Sequence, residues 1–123
     1  MAGVKRVEDL VAWQRAMALA KEIYQVTAFL PDSERFGLQS QLRRAAVSVP
    51  SNIAEGFGRE SPNDLIRFLR TARGSLFESR TQLQLCVDLS LLRSDQPPFD
   101  LLDETDRVLQ GLIRSLENRQ DRP

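Results

Sequence analysis

The chain has 123 residues, with 17 Lys plus Arg, 17 Asp plus Glu, no His and a single Cys, Cys86. That length is one ordinary domain, able to bury a core without disulfide or metal staples. Without His there is no imidazole general base, no facial metal triad and no zinc finger, and one Cys closes no internal disulfide.

The first thirty residues alternate apolar and charged positions, unlike a secretory leader. No run approaches the roughly eighteen apolar residues of a membrane span, so no membrane association and a cytoplasmic location are expected. Neutrality conceals an uneven distribution. Residues 35–80 hold eight Arg against four acids, whereas residues 81–123 hold five Arg against eight acids.

Glycine and proline divide the sequence into four helical segments within one domain, residues 1–123. The first is predicted over 8–30, with Leu10, Trp13, Met17, Ala20 and Tyr24 at three-four spacing and Ala16, Leu19 and Ile23 widening the stripe. Pro31 ends it. The second is predicted over 33–57, with Asp32 or Ser33 as cap and Leu38, Leu42, Ala45, Val49 and Ile53 facing the core. Pro50 lies inside this segment and predicts a kink; a break into two helices is the alternative.

Gly56-Phe57-Gly58 reads as a helix stop, and Ser61-Pro62-Asn63-Asp64 as the next start, with a capping hydroxyl, proline in the first turn and an acid behind it. The third helix is predicted over 62–92, with Leu65, Leu69, Ala72, Leu76, Leu83 and Val87 inward. The fourth is predicted over 100–118, with Leu102, Leu109, Leu112 and Leu116 inward. Short connections between four amphipathic helices predict an all-α, antiparallel up-down-up-down four-helix bundle.

Two helices have more apolar surface than a closed bundle uses. Phe36, Val47 and Phe57 flank the core stripe of the second helix, and Leu85, Leu89 and Leu92 lie opposite that of the third. Leftover apolar faces mark an interface, and self-association is expected; scattered surface apolar residues are the bland alternative.

Little catalytic chemistry is present. Gly56-x-Gly58 lacks the third glycine and the preceding strand of a dinucleotide loop. Glu55 and Glu78 would suit a carboxylate metal pair facing into the bundle, but such sites also use His, and pairing of either acid with Arg43, Arg73 or Arg80 is the expected arrangement. Cys86 borders the core stripe of the third helix as a small apolar filler. No cofactor and no enzymatic activity are expected. Arg67, Arg70 and Arg73 recur every three residues, and Arg43, Arg44 and Arg59 could approach them across the helix pair. Such a cluster either contacts phosphates or forms ion pairs with Glu60, Asp64 or the acidic fourth segment.

Longer stretches carry a resemblance. They are Val7-Glu8-Asp9-Leu10-Val11-Ala12-Trp13-Gln14-Arg15-Ala16, the run Phe36 to Ala46, the run Ser48-Val49-Pro50-Ser51-Asn52-Ile53-Ala54-Glu55-Gly56-Phe57-Gly58-Arg59, and Phe68 to Glu78. Together the sequence resembles the bacterial four-helix-bundle family named after proteins encoded in 23S rRNA intervening sequences, and the related accessory proteins of diversity-generating retroelements. The resemblance covers about Val7 to Leu116; Phe77 stands where a smaller residue is expected. It implies a four-helix bundle, a ring-like homopentamer and no enzymatic activity established for the class. Two functional readings follow. One is a non-enzymatic interaction or scaffold module with itself and other proteins as partners. The other is a sequence-independent RNA- or DNA-binding accessory protein using Arg43, Arg44, Arg67 and Arg70.

Overall fold

A computed structural model describes residues 3–120, and among these it contains four α-helices and no strand. They are α1 (Val11–Thr27), α2 (Leu38–Phe57), α3 (Pro62–Asp88) and α4 (Phe99–Gln120). Each helix packs on its neighbours in sequence, and α4 returns to pack on α1, closing a four-sided bundle. The core runs its whole length. Leu19, Ile23, Leu42, Ile53, Leu69, Leu76, Leu83, Leu102 and Leu109 are all almost fully buried. Each such side chain contributes on the order of 1.5–3 kcal/mol relative to exposure, so the core dominates stability.

The helix ends show where local chemistry overrides periodicity. Val7–Asp9 forms a separate single turn, so α1 starts at Val11 rather than near Glu8. Asp32–Glu34 forms another such turn, and α2 starts at Leu38. Neither Asp32 nor Ser33 caps α2. Glu34 does so from upstream: its Oε1 accepts from the Leu38 amide at 3.1 Å, placing an acid at the positive end of the helix. The predicted α3 start stands as read, with Ser61 Oγ accepting from the Asp64 amide and Pro62 in the first turn.

Pro50 is buried inside one continuous α2, so the alternative of two separate helices is overturned. Asn52 stabilises the following turn, donating from Nδ2 to the Ser48 carbonyl at 2.8 Å and to Ser48 Oγ at 2.9 Å. The helix stops at Gly58, but Gly56 does something else. It is buried in the last turn, where a Cβ would stand 2.7 Å from Phe68 Cβ and 3.2 Å from Leu65 Cδ1. Gly56 therefore permits the close approach of α2 and α3.

Along α2 and α3 the contacts run in reverse order: Gly56 faces Leu65 and Phe68, Ser48 Oγ lies 2.8 Å from Ser75 Oγ, and Gln82 Nε2 reaches Gln41 Oε1 at 3.4 Å. The third helix ends at Asp88, four residues before the predicted end. Ser90 turns left-handed, with φ 60°, its amide donates to the Val87 carbonyl, and the Leu91 amide donates to the Cys86 carbonyl. This is a Schellman stop with serine in the place glycine usually takes. It folds Leu92 into the core, so Leu92 is no part of an outer face.

Candidate functional site

The surface of α1 holds the largest departure from the periodicity. Ala12, Ala16, Leu19, Ile23 and Val26 form its buried stripe, about one residue step, or 100°, away from the line through Trp13, Met17, Ala20 and Tyr24. Met17 and Tyr24 are 45% and 43% exposed, whereas Trp13 and Ala20 lie half-buried at the edge of the core. This second stripe faces Val47, Pro50, Ser51 and Ala54 of α2, and the two helices enclose an open groove of about 400 Å³. From Trp13 to Tyr24 the groove is roughly 16 Å long, about three helical turns. Its lining is mainly apolar, and Lys21 stands on its rim.

A second apolar surface lies on α3. Phe77, Leu85 and Leu89 are 43%, 44% and 55% exposed. Phe77 and Leu85 share one outward face of the helix with Gly74 and Thr81, and Leu89 caps its end. No atom outside its own helix backbone comes within 4 Å of a Cβ built on Gly74. Gly74 and Phe77 also line an open pocket between α3 and α4, together with Gln110, Ile113, Arg114 and Glu117.

The arginines do not form one cluster. Arg67 pairs with Asp64 at 3.2 Å, Arg70 with Glu117, Arg73 with Asp106 at 2.7 Å, Arg80 with Asp103 and Arg15 with Glu104. The acidic α4 thus neutralises much of the basic α3 within one chain. Arg43 caps the carboxyl end of α1. Its Nε donates to Thr27 Oγ1 at 3.0 Å and its Nη2 to the Tyr24 carbonyl at 3.3 Å, while its guanidinium lies 4.6 Å from the Tyr24 ring centroid. Arg44 is exposed beside Glu78 and Gln41. In the α2–α3 register, Arg44 and Arg67 sit roughly 18 Å apart along the bundle. Arg59 does approach Arg67; the two guanidinium groups lie 5.3 and 4.9 Å from the Phe68 centroid.

The 23S rRNA-intervening sequence protein family matches residues 8–114, most of the chain and all but the last turns of the bundle. The chain belongs to this family. Among curated proteins none matches it significantly. As a 23S rRNA-intervening sequence protein it has the all-α, four-helix fold that the sequence resemblance implies.

Other candidate residues of this family member separate in the same way. Phe36 is 88% exposed but lies in the turn before α2, stacked under Arg35. Val47 is exposed on α2 and belongs to the groove, whereas Phe57 is half-buried against the core. Glu55 and Glu78 do not face each other inside the bundle. Both are exposed; Glu55 pairs with Arg59 at 3.6 Å, and Glu78 accepts from Gln82. Cys86 is fully buried, and its burial, with the negative charge of Glu34 adding to it, pushes the thiol pKa up. That thiol is a packing group, as its place beside the core stripe predicts.

No helix among the described residues is long and apolar enough to cross a membrane. The signal for the groove was present in the sequence as the width of the α1 stripe. What the sequence lacked was the direction of the core.

Proposed function

We propose that this protein is a non-enzymatic, cytoplasmic interaction module that assembles with copies of itself. The observation that carries the reading is the pair of apolar faces left uncovered once the core closes: the α1–α2 groove and the α3 ridge. A monomer would leave both in water, and such contiguous faces are characteristic of association surfaces. A ring of five is the assembly that the family resemblance implies. Native mass spectrometry tests it, with an expected species of five times the 14.0 kDa chain mass. A monomer whose mass does not change across micromolar concentrations overturns the reading.

Nucleic-acid binding is the second reading, and its support is local. Arg43 and Arg44 have no carboxylate partner among the described residues, but Arg67 and Arg70 are engaged with Asp64 and Glu117. Phosphate contacts by several arginines would make RNA or duplex-DNA affinity fall steeply as salt rises. Tight, salt-sensitive binding that disappears in Arg67→Glu/Arg70→Glu, with the oligomer intact, would replace the interaction reading by this one.

A further inference from the structure

The seam between α2 and α3 opens into a polar cleft of about 430 Å³, lined by Gln41, Arg44, Ala45 and Ser48 on one side and by Ser75 and Glu78 on the other. We infer that this cleft binds a small zwitterion of the α-amino acid class, with its carboxylate on Arg44 and its ammonium on Glu78. Such a site goes beyond the interaction reading and is independent of how copies of the chain associate.

Two opposite charges stand on facing helices without pairing. Arg44 has Ser40, Gln41, Val47 and Ser48 at the neighbouring helical positions, so its own helix offers no acid. Glu78 has Gly74, Ser75, Thr81 and Gln82 there, and no base. The contacts of Ser48 with Ser75 and of Gln41 with Gln82 set Arg44 level with Ser79, one residue from Glu78. Neither charge belongs to an ion pair among the described residues, and the Glu78 carboxylate accepts only from Gln82 Nε2, at 3.3 Å.

Those charges select the ligand. A phosphate or a dicarboxylate gains from Arg44 but is repelled by Glu78, and a polyamine meets the reverse difficulty. A molecule carrying both charges satisfies both walls, and a guanidinium can give a carboxylate two parallel hydrogen bonds. In the same cleft the hydroxyls of Ser48 and Ser75 lie 2.8 Å apart, and Asn52 Nδ2 already donates to Ser48 Oγ. One hydroxyl proton joins the two serines, which leaves the other for an acceptor.

The Gln41 end of the cleft is uncharged. There Gln82 reaches Gln41 and Glu78 only by long hydrogen bonds, at 3.4 and 3.3 Å, and its buried Oε1 has no partner. A turn of that amide gives Oε1 the donor it lacks when the bound side chain itself ends in an amide. L-Glutamine is therefore the probe.

Saturation-transfer NMR on the full chain reads weak binding directly. L-Glutamine should bind with a dissociation constant of roughly a millimolar, because both charged walls are exposed. Glutaramate lacks the ammonium and 4-aminobutanamide lacks the carboxylate. Each should bind about tenfold more weakly, the loss of one charge-assisted hydrogen bond. Arg44→Gln and Glu78→Gln should each weaken L-glutamine binding by the same factor. Circular dichroism and an unchanged native mass check that fold and assembly survive in both variants.

No L-glutamine binding at tens of millimolar overturns the zwitterion site, whatever the oligomeric state. Glutaramate binding as tightly as L-glutamine would show a simple anion site on Arg44, and 4-aminobutanamide doing so a cation site on Glu78; either result overturns it. So do variants that bind like the wild type, since the ligand then sits elsewhere. A monomeric wild type that binds L-glutamine in the expected pattern supports the site and defeats the self-assembly reading alone.

Discussion

Replacing Gly56 by alanine isolates the close approach of α2 and α3. Two effects oppose each other. Alanine is favoured over glycine by roughly 1 kcal/mol in a helix interior, and by less than that in a last turn such as the one Gly56 occupies. Against this, the added Cβ would stand 2.7 Å from Phe68 Cβ, 3.2 Å from Leu65 Cδ1 and 3.4 Å from Leu65 Cα. Leu65 Cδ1 can rotate away, but Phe68 Cβ and Leu65 Cα are fixed to the α3 backbone. Relief therefore requires the helices to separate, by roughly 1 Å to reach ordinary carbon–carbon contact. Overpacking of this kind costs about 1–3 kcal/mol. The expected net effect is a destabilisation of about 1 kcal/mol.

Gly111 supplies the control, since it is a helix-interior glycine of α4 with open space around its Cα. Gly111→Ala should stabilise by about 1 kcal/mol, through the full helix-interior gain without the clash. Urea unfolding of both variants, followed by circular dichroism at one protomer concentration, reads the difference, which should be roughly 2 kcal/mol. If Gly56→Ala proves as stable as Gly111→Ala, the close-packing account of Gly56 is wrong.

Ser90→Gly should stabilise the protein by about 0.5–1 kcal/mol, because Ser90 occupies a left-handed conformation that penalises a Cβ; thermal melting should show a rise of a few degrees, and a fall would refute that account of the α3 stop. The buried thiol of Cys86 predicts a pH effect. Its folded-state pKa is raised, so at alkaline pH the unfolded chain loses the proton first and stability falls as pH climbs past the ordinary thiol range towards the raised value. Cys86→Ala should remove that component of the alkaline slope in pH-dependent urea titrations, and an identical slope in both proteins would contradict it.

The sequence by itself determined the class of fold. Four amphipathic segments, the serine–proline start of α3 and most inward residues of α2, α3 and α4 are local patterns, each visible within a few helical turns; Val87 and Leu112 are only half-buried, and their neighbours Cys86 and Ile113 take the buried places. Family membership was legible for a related reason, since the run from Ser48 to Arg59 is long and specific. Tertiary structure decided what periodicity leaves open. Two adjacent stripes of α1 are both apolar, and only packing against α2 and α4 turns Ala16 and Ile23 inward and leaves Met17 and Tyr24 on a groove.

The same reason explains the arginines. Their spacing along α3 shows a common face, but the carboxylates that neutralise Arg70 and Arg73 arrive from α4, more than thirty residues later in the chain. Leu92 marks a third limit. Helical extrapolation places it outside, and the left-handed turn at Ser90, a conformation serine seldom adopts, carries it into the core. Periodicity records which side chains avoid water; which neighbour covers them depends on contacts distant in sequence, and no local pattern contains those.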